Sequence, residues 1–385
     1  MREFDTDVVV VGLGAWGSSA LWRLAERGVD VIGIERFGPG HELGSSHGET
    51  RLFRVACLEH PDLVPLAVRA GELWRELEAA SGEELLRING GITIGPPHEE
   101  TITRSLAAAR AHDLPIEQLT ASQLRARFPQ HTNVADDFVG VWDPMAGVVK
   151  AEASVRAAFA AAASSGATIY CDTRVARIDL VDGGVVVATP LRELTARQAV
   201  VTAGAWLGKL VPGLPLETLR TPMNWFKAHD DATRKQFAVD DFPVFIRYVD
   251  QNRSLWGHGA VFGHDVKIGL TERFSTPAVA GTDPDECDRG VSPEDWCRLV
   301  SPLAMAVANL DPQPVRSVPC MITNSPDGQF LIGRPNSDPR LVIGGGCSGH
   351  GFKHATGIGE ALAQITVGEQ TFCDLGFTDP NRFRR

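Results

Sequence analysis

The first 35 residues constrain the fold more than any other stretch. A valine run ending at Val11 is followed by Gly12-Leu-Gly14-Ala-Trp-Gly17 and a helical pattern from Ser18 to Arg27 closed by Gly28. A second Val/Ile strand over 29–34 then stops at Glu35. A continuous β-branched run reads as a strand buried on both faces of a parallel sheet. The three glycines have separate tasks: Gly12 turns the chain, Gly14 lets a pyrophosphate approach the backbone, and Gly17 lets the helix pack on the strand. The helix N-terminus offers N–H groups and the positive end of its dipole to the phosphates. Glu35 is placed to accept from a ribose hydroxyl. A tight turn that binds nothing would need neither the second strand nor its terminal acid, so the pattern predicts a dinucleotide site in a Rossmann-like α/β domain.

At 385 residues the chain can hold two cores. After the first unit, an Ala-rich helix to about Ser165 and strands over 166–170, 173–178, 185–188, 194–196 and 199–206 resume the same sheet. Two insertions interrupt it, and the second carries alternating segments at 244–249 and 266–270 that read as antiparallel strands. The expected organisation is a discontinuous cofactor domain (1–85, 148–215 and 318–385) and an antiparallel-sheet substrate domain (86–147 and 216–317). A net charge of −11 argues against nucleic acid as a partner. Seven scattered cysteines without metal-ligand spacing fit reduced thiols and no metal site. With no leader pattern and no apolar run long enough for a bilayer, the expectation is a soluble cytoplasmic protein, and a monomer is expected.

Three further segments carry chemistry. Gly44-Ser-Ser-His47-Gly-Glu-Thr-Arg51-Leu-Phe-Arg54 is a loop from which two arginines emerge. Cys320-Met-Ile-Thr-Asn-Ser-Pro-Asp places a thiol ahead of a turn. Ser348-Gly349-His-Gly351-Phe-Lys353 delivers a lysine from a glycine-rich loop into a helix expected over 352–365. In these segments, and in the same order over essentially its whole length, the chain resembles the monomeric sarcosine oxidase and N-methyltryptophan oxidase family of FAD-dependent amine oxidases.

The resemblance implies FAD joined covalently through Cys320. It also implies a cofactor site that includes Gly12, Gly14, Gly17, Glu35, Arg36, Ser45, Val175, Gly349, Gly351 and Lys353. Arg54 and Lys353 match the pair that binds a substrate carboxylate, which needs fixed positive charge in a closed site. Lys267 matches a lysine that promotes reaction with oxygen, where a preplaced cation favours superoxide formation. Arg51 and His47 match flavin-facing positions. The implied reaction is hydride transfer from a secondary amine to flavin N5, giving an imine and hydrogen peroxide. The small-molecule partners are thus an amine and oxygen.

Two positions depart from the family pattern. Ile322 stands where a tyrosine is common after the covalent cysteine, and Thr271 where a histidine often ends the lysine strand. Both changes favour a roomier or less polar pocket for a bulkier or cyclic substrate than sarcosine, within the N-methyl or cyclic amino acids, with Trp225, Phe226, Trp256 and His258 as further candidates to line it. The rival readings are a flavin dehydrogenase that uses an electron carrier, an NAD-dependent oxidoreductase, and a non-catalytic flavin-binding protein.

Overall fold

The structure, a computed structural model, describes residues 4–272 and 281–383. Thr6–Val11 runs parallel to Val31–Ile34 on one side and to Glu193–Val201 on the other, and Thr168–Tyr170 extends the parallel row. Val8 and Val10 enter one hydrophobic cluster while Val9 and Val11 enter another. Alternate residues of a strand face opposite sides, so a strand covered on both faces needs apolar residues throughout.

The helix Ala15–Glu26 packs against Ala151–Ser164 and Ala355–Val367. A Cβ on Gly17 would stand 1.9 Å from Gly12 O, which agrees with the helix-on-strand role expected of that glycine. Glu193–Val201 is one strand where two segments were expected. Its first half pairs antiparallel with Gly184–Ala188 and its second half parallel with Leu341–Gly345. The strand expected over 173–178 starts later, as Arg177–Val181. Before it, Thr173 N donates to Glu35 O at 2.9 Å, which ties this stretch to the end of the parallel row and leaves it free of a ladder.

The second sheet has eight strands in the order Arg316–Asn324, Glu217–Phe226, Val266–Glu272, Arg253–His258, Val244–Tyr248, Gly91–Gly95, Val139–Asp143, Glu117–Thr120. It is antiparallel apart from Val244–Tyr248 against Gly91–Gly95, the junction of the two insertions. The strand holding Cys320 pairs with Glu217–Phe226 over nine residues, from Glu217↔Asn324 to Trp225↔Arg316. It therefore lies in the second sheet, and the boundary expected at 318 falls within it. A small sheet of Thr50–Phe53, Gly147–Lys150 and Leu86–Ile88 completes the fold.

All seven cysteines are unpaired. Among the described residues no helix is long and apolar enough to cross a membrane, and no cluster of His, Cys, Asp or Glu is arranged to hold a metal ion.

Candidate active site

A cavity of about 690 Å³ lies between the two large sheets. Of the residues singled out from sequence, Gly12, Gly14, Glu35, Arg36, Ser45, Arg51, Arg54, Val175, Thr271, Cys320, Ile322, Gly349, Gly351 and Lys353 line it. Gly17, His47, Lys267 and Trp225 stand behind that wall.

One end is the cradle formed by the first strand–helix turn. Gly12 has φ +82°, and a Cβ there would lie 2.6 Å from Ala203 Cα, so the turn excludes any larger residue. The buried Glu35 carboxylate accepts from Leu13 N at 2.7 Å and Phe37 N at 3.0 Å, each on a different oxygen. A carboxylate has about four acceptor sites, so capacity remains for a ribose hydroxyl. The opposite wall is the glycine loop after Leu341–Gly345. Trp16 clamps it by donating from Nε1 to Gly351 O at 3.0 Å, and its ring leaves no room for a Cβ on Gly351. The helix after this loop begins at Ala355, and Lys353 sits in the preceding 3-10 turn Phe352–His354.

At the other end, the loop before Thr50–Phe53 has two successive left-handed residues, Gly48 (φ 87°) and Glu49 (φ 69°). Their N–H groups are held by the Glu152 carboxylate. This bend aims Gly48 O and Thr50 O at the Lys267 ammonium, at 2.7 and 2.9 Å. The face of Trp225 covers the same ammonium, with its ring centroid 5.0 Å away. Burial, followed by the charge of Arg51, pulls the Lys267 pKa well below its ordinary value. Arg51 donates to Ser45 O at 2.9 Å and stands 3.8 Å from Cys320 Sγ. Burial raises the Cys320 pKa, and Arg51 and Lys267 oppose that rise.

Both ring nitrogens of the buried His47 lack a partner. Burial first, and Arg51 and Lys267 next, lower its pKa to about 3. An orphaned imidazole beside a lined cavity fits a site built for a further polar group. Burial also lowers His131 and His258 to about 3. In an unfolded chain such groups protonate near about 6.5. Between those values the unfolded state binds more protons, so stability should fall as the pH is lowered through that window. Each of these histidines contributes at most about 1.4 kcal/mol per pH unit. The urea midpoint should therefore drop between about pH 7 and about pH 5, and a flat midpoint would contradict their neutral burial.

Between these ends the structure reveals a group that the sequence reading missed. Lys353 Nζ and Arg54 Nη2 converge on one oxygen of Glu59, at 2.7 and 3.0 Å. The other oxygen accepts from Leu58 N at 3.1 Å. Burial alone would raise the Glu59 carboxyl, but Lys353 and Arg54 outweigh it and hold its pKa well below the ordinary value. The pair expected to bind a substrate carboxylate is thus a fork already engaged by a carboxylate of the chain. Only an acid five residues after Arg54 hinted at this, and in sequence it looks like any surface glutamate.

The remaining wall is largely apolar. Trp256 opposes Gly269, where a Cβ would lie 2.2 Å from the indole, so only glycine lets the ring lie flat across the strand. Leu270, Thr271, Ile322 and Tyr248 complete this surface, and Tyr248 shares a hydrogen bond with Thr101. Trp225, expected here, is instead 2% exposed and wedged between Lys267 and Arg316. Phe226 belongs to the core of the second sheet, and His258 is buried against Thr50 Oγ1 at 2.8 Å.

A Rossmann-like sheet whose cradle opens into a cavity roofed by a second, mostly antiparallel sheet defines a flavoprotein oxidoreductase architecture. Residues 7–365 match the FAD dependent oxidoreductase family (DAO), and the chain belongs to it. It is 34% identical to the monomeric sarcosine oxidase of Streptomyces avermitilis, over 98% of this chain and 97% of that protein. It is 31% identical to the N-methyl-L-tryptophan oxidase of Yersinia pestis, over 99% and 100%. Among solved structures it resembles NikD, an unusual amino acid oxidase essential for nikkomycin biosynthesis (TM-score 0.82, 23% identity, 97% of each chain). It also resembles the L-proline dehydrogenase of P. horikoshii (TM-score 0.82, 20% identity, 98% of this chain and 97% of that one).

Proposed function

We propose that this protein is an FAD-dependent oxidase of a secondary amine bearing a carboxylate, an N-methyl or cyclic amino acid, with oxygen as electron acceptor and an imine and hydrogen peroxide as products. The observation that carries the reading is the Lys353–Arg54 fork, a buried cationic pair at the cavity wall that is already competent to hold a carboxylate. FAD, when bound, would supply the two-electron chemistry, as hydride acceptor from the carbon beside nitrogen and as electron donor to oxygen. The chain's own task is then orientation and electrostatics.

Gly12, Gly14 and Glu35 hold the dinucleotide, with Gly17 keeping their turn closed, and Arg36, Ser45, Val175, Gly349 and Gly351 wall it in. Lys353 and Arg54 fix the substrate by its carboxylate. Trp256, Leu270, Thr271 and Ile322 shape an apolar space for its remainder, which favours a bulkier or cyclic amine over sarcosine. Lys267 supplies buried positive charge for the oxygen step. Arg51 and the neutral His47 set the charge around it.

Cys320 is the attachment point of FAD in this reading, and its thiol stands beside a guanidinium able to favour the thiolate. Denatured protein should keep its yellow colour on the polypeptide, while Cys320→Ser should release its flavin into the supernatant. Free flavin from the unmodified protein would remove the covalent assignment without touching the FAD assignment.

A further inference from the structure

At the Glu35 end, three cavity-lining residues of the cofactor domain are held by one acid of the second insertion. Asp285 Oδ1 accepts from Arg36 Nη1 at 2.5 Å and from Trp206 Nε1 at 2.9 Å, and its Oδ2 accepts from Lys209 Nζ at 2.7 Å. Asp283 takes a second bond from Lys209 at 2.6 Å. The guanidinium of Arg36 lies over the rings of Phe37 and Trp206, with centroids 5.1 and 5.4 Å away, and both rings line the cavity.

The strap carrying Asp285 is fastened at its far end as well. Arg289 donates to Leu43 O at 2.8 Å, while Arg220 donates to Asp288 O and Gly290 O at 2.8 and 2.7 Å. The strap is thus anchored at one end to the rim around Arg36, Trp206 and Lys209, and at the other to the loop around Leu43. Asp285 does not itself line the cavity, while the three side chains its carboxylate holds do.

From this we infer that Asp285 is a positioning residue for the cofactor: it clasps Arg36, Trp206 and Lys209 as one wall over the adenosine end, and breaking that clasp is the step that admits or releases FAD. The inference rests on the reading that the cavity holds FAD. An ionic clasp suits a latch better than apolar packing does. Arg36 and Asp285 keep side-chain exposures of 30% and 25%, so salt reaches them and the contacts reopen without exposing core.

The test uses full-length Cys320→Ser protein loaded with FAD, so that release is not blocked by a covalent bond. Release is followed as the rise in free flavin fluorescence. Raising the salt from about 0.01 M to about 1 M, which shortens the Debye length from about 30 Å to about 3 Å, should speed release severalfold. Adding Asp285→Asn should speed release about tenfold or more, because three charge-assisted hydrogen bonds lose their ionised acceptor, and should remove most of the salt dependence. Asp283→Asn, which keeps a side-chain oxygen for Asp285 N and weakens only the second of the two Lys209 contacts, should do much less.

Release from Asp285→Asn at the parent rate overturns the inference, as does a lowered melting temperature with unchanged release, which would mark a merely structural acid. If Asp285→Asn fails to fold, the parent's salt dependence decides alone, and a rate indifferent to salt overturns the latch. Cys320→Ser protein that binds no FAD at all would instead overturn the cofactor reading on which the latch stands.

Discussion

Replacing Lys267 with methionine should slow the reaction with oxygen by about 10²–10³-fold, the scale on which one preorganised electrostatic group acts. Anaerobic reduction by the amine should stay within severalfold of the parent. The separation follows from placement. Lys267 Nζ is spent on Gly48 O, Thr50 O and the face of Trp225, so it holds no part of the carboxylate fork. It is a cation kept 1% exposed, and burying a charge costs stability whether or not the charge is used. Because burial and Arg51 lower its pKa, the ammonium deprotonates below the ordinary lysine range. The oxygen step should therefore decline as pH rises through that lowered value, and the methionine variant should lose this decline. Stopped-flow reoxidation of reduced protein against pH reads both effects. An unchanged oxygen rate in Lys267→Met would remove the lysine from this role.

Lys353→Met should weaken amino-acid binding by about 2–5 kcal/mol, the range for truncating one member of a buried, hydrogen-bonded charge pair. A neutral secondary amine of the same shape, lacking the carboxylate, should lose little. The comparison of the two ligands matters because the change also disturbs the resting protein. Glu59 would be left with Arg54 and the Leu58 N–H, and a buried charge stripped of a partner costs about 3–5 kcal/mol of stability. Thermal unfolding measures that loss, and anaerobic titration of flavin absorbance measures affinity. Equal losses for both ligands, or none for either, would show that Lys353 does not bind the carboxylate.

The dinucleotide end was legible from sequence because its parts are contiguous. Strand, turn, helix, strand and Glu35 span 30 residues, Thr6 to Glu35, and the task of Gly17 is set within that stretch by Gly12. The catalytic end joins groups from distant segments, and only motif resemblance placed Arg51, Lys267 and Cys320 together. Where the motif was silent, the reading failed in physical ways.

Alternation along Glu217–Phe226 could not tell which face meets the cavity, so Trp225 was expected at the wall when it covers Lys267. The Cys320 strand was grouped with the glycine loop that follows it, although its partner is Glu217–Phe226, about a hundred residues earlier. Glu59 and Asp285 carry no local signature, since an acid reads as solvated surface until its partners are known. Thr271 and Ile322 were read as changes in the substrate wall, and both do line the cavity.

The central claim is that this chain oxidises a secondary amino acid with FAD and passes the electrons to oxygen. Its most direct test is one set of N-methyl and cyclic amino acids mixed with pure yellow protein, first without air and then with it. The account predicts anaerobic bleaching of the flavin by at least one of them, followed under air by return of colour with one hydrogen peroxide formed per imine. Bleaching without peroxide would make the protein a dehydrogenase, and a flavin that no such amine bleaches would contradict the account.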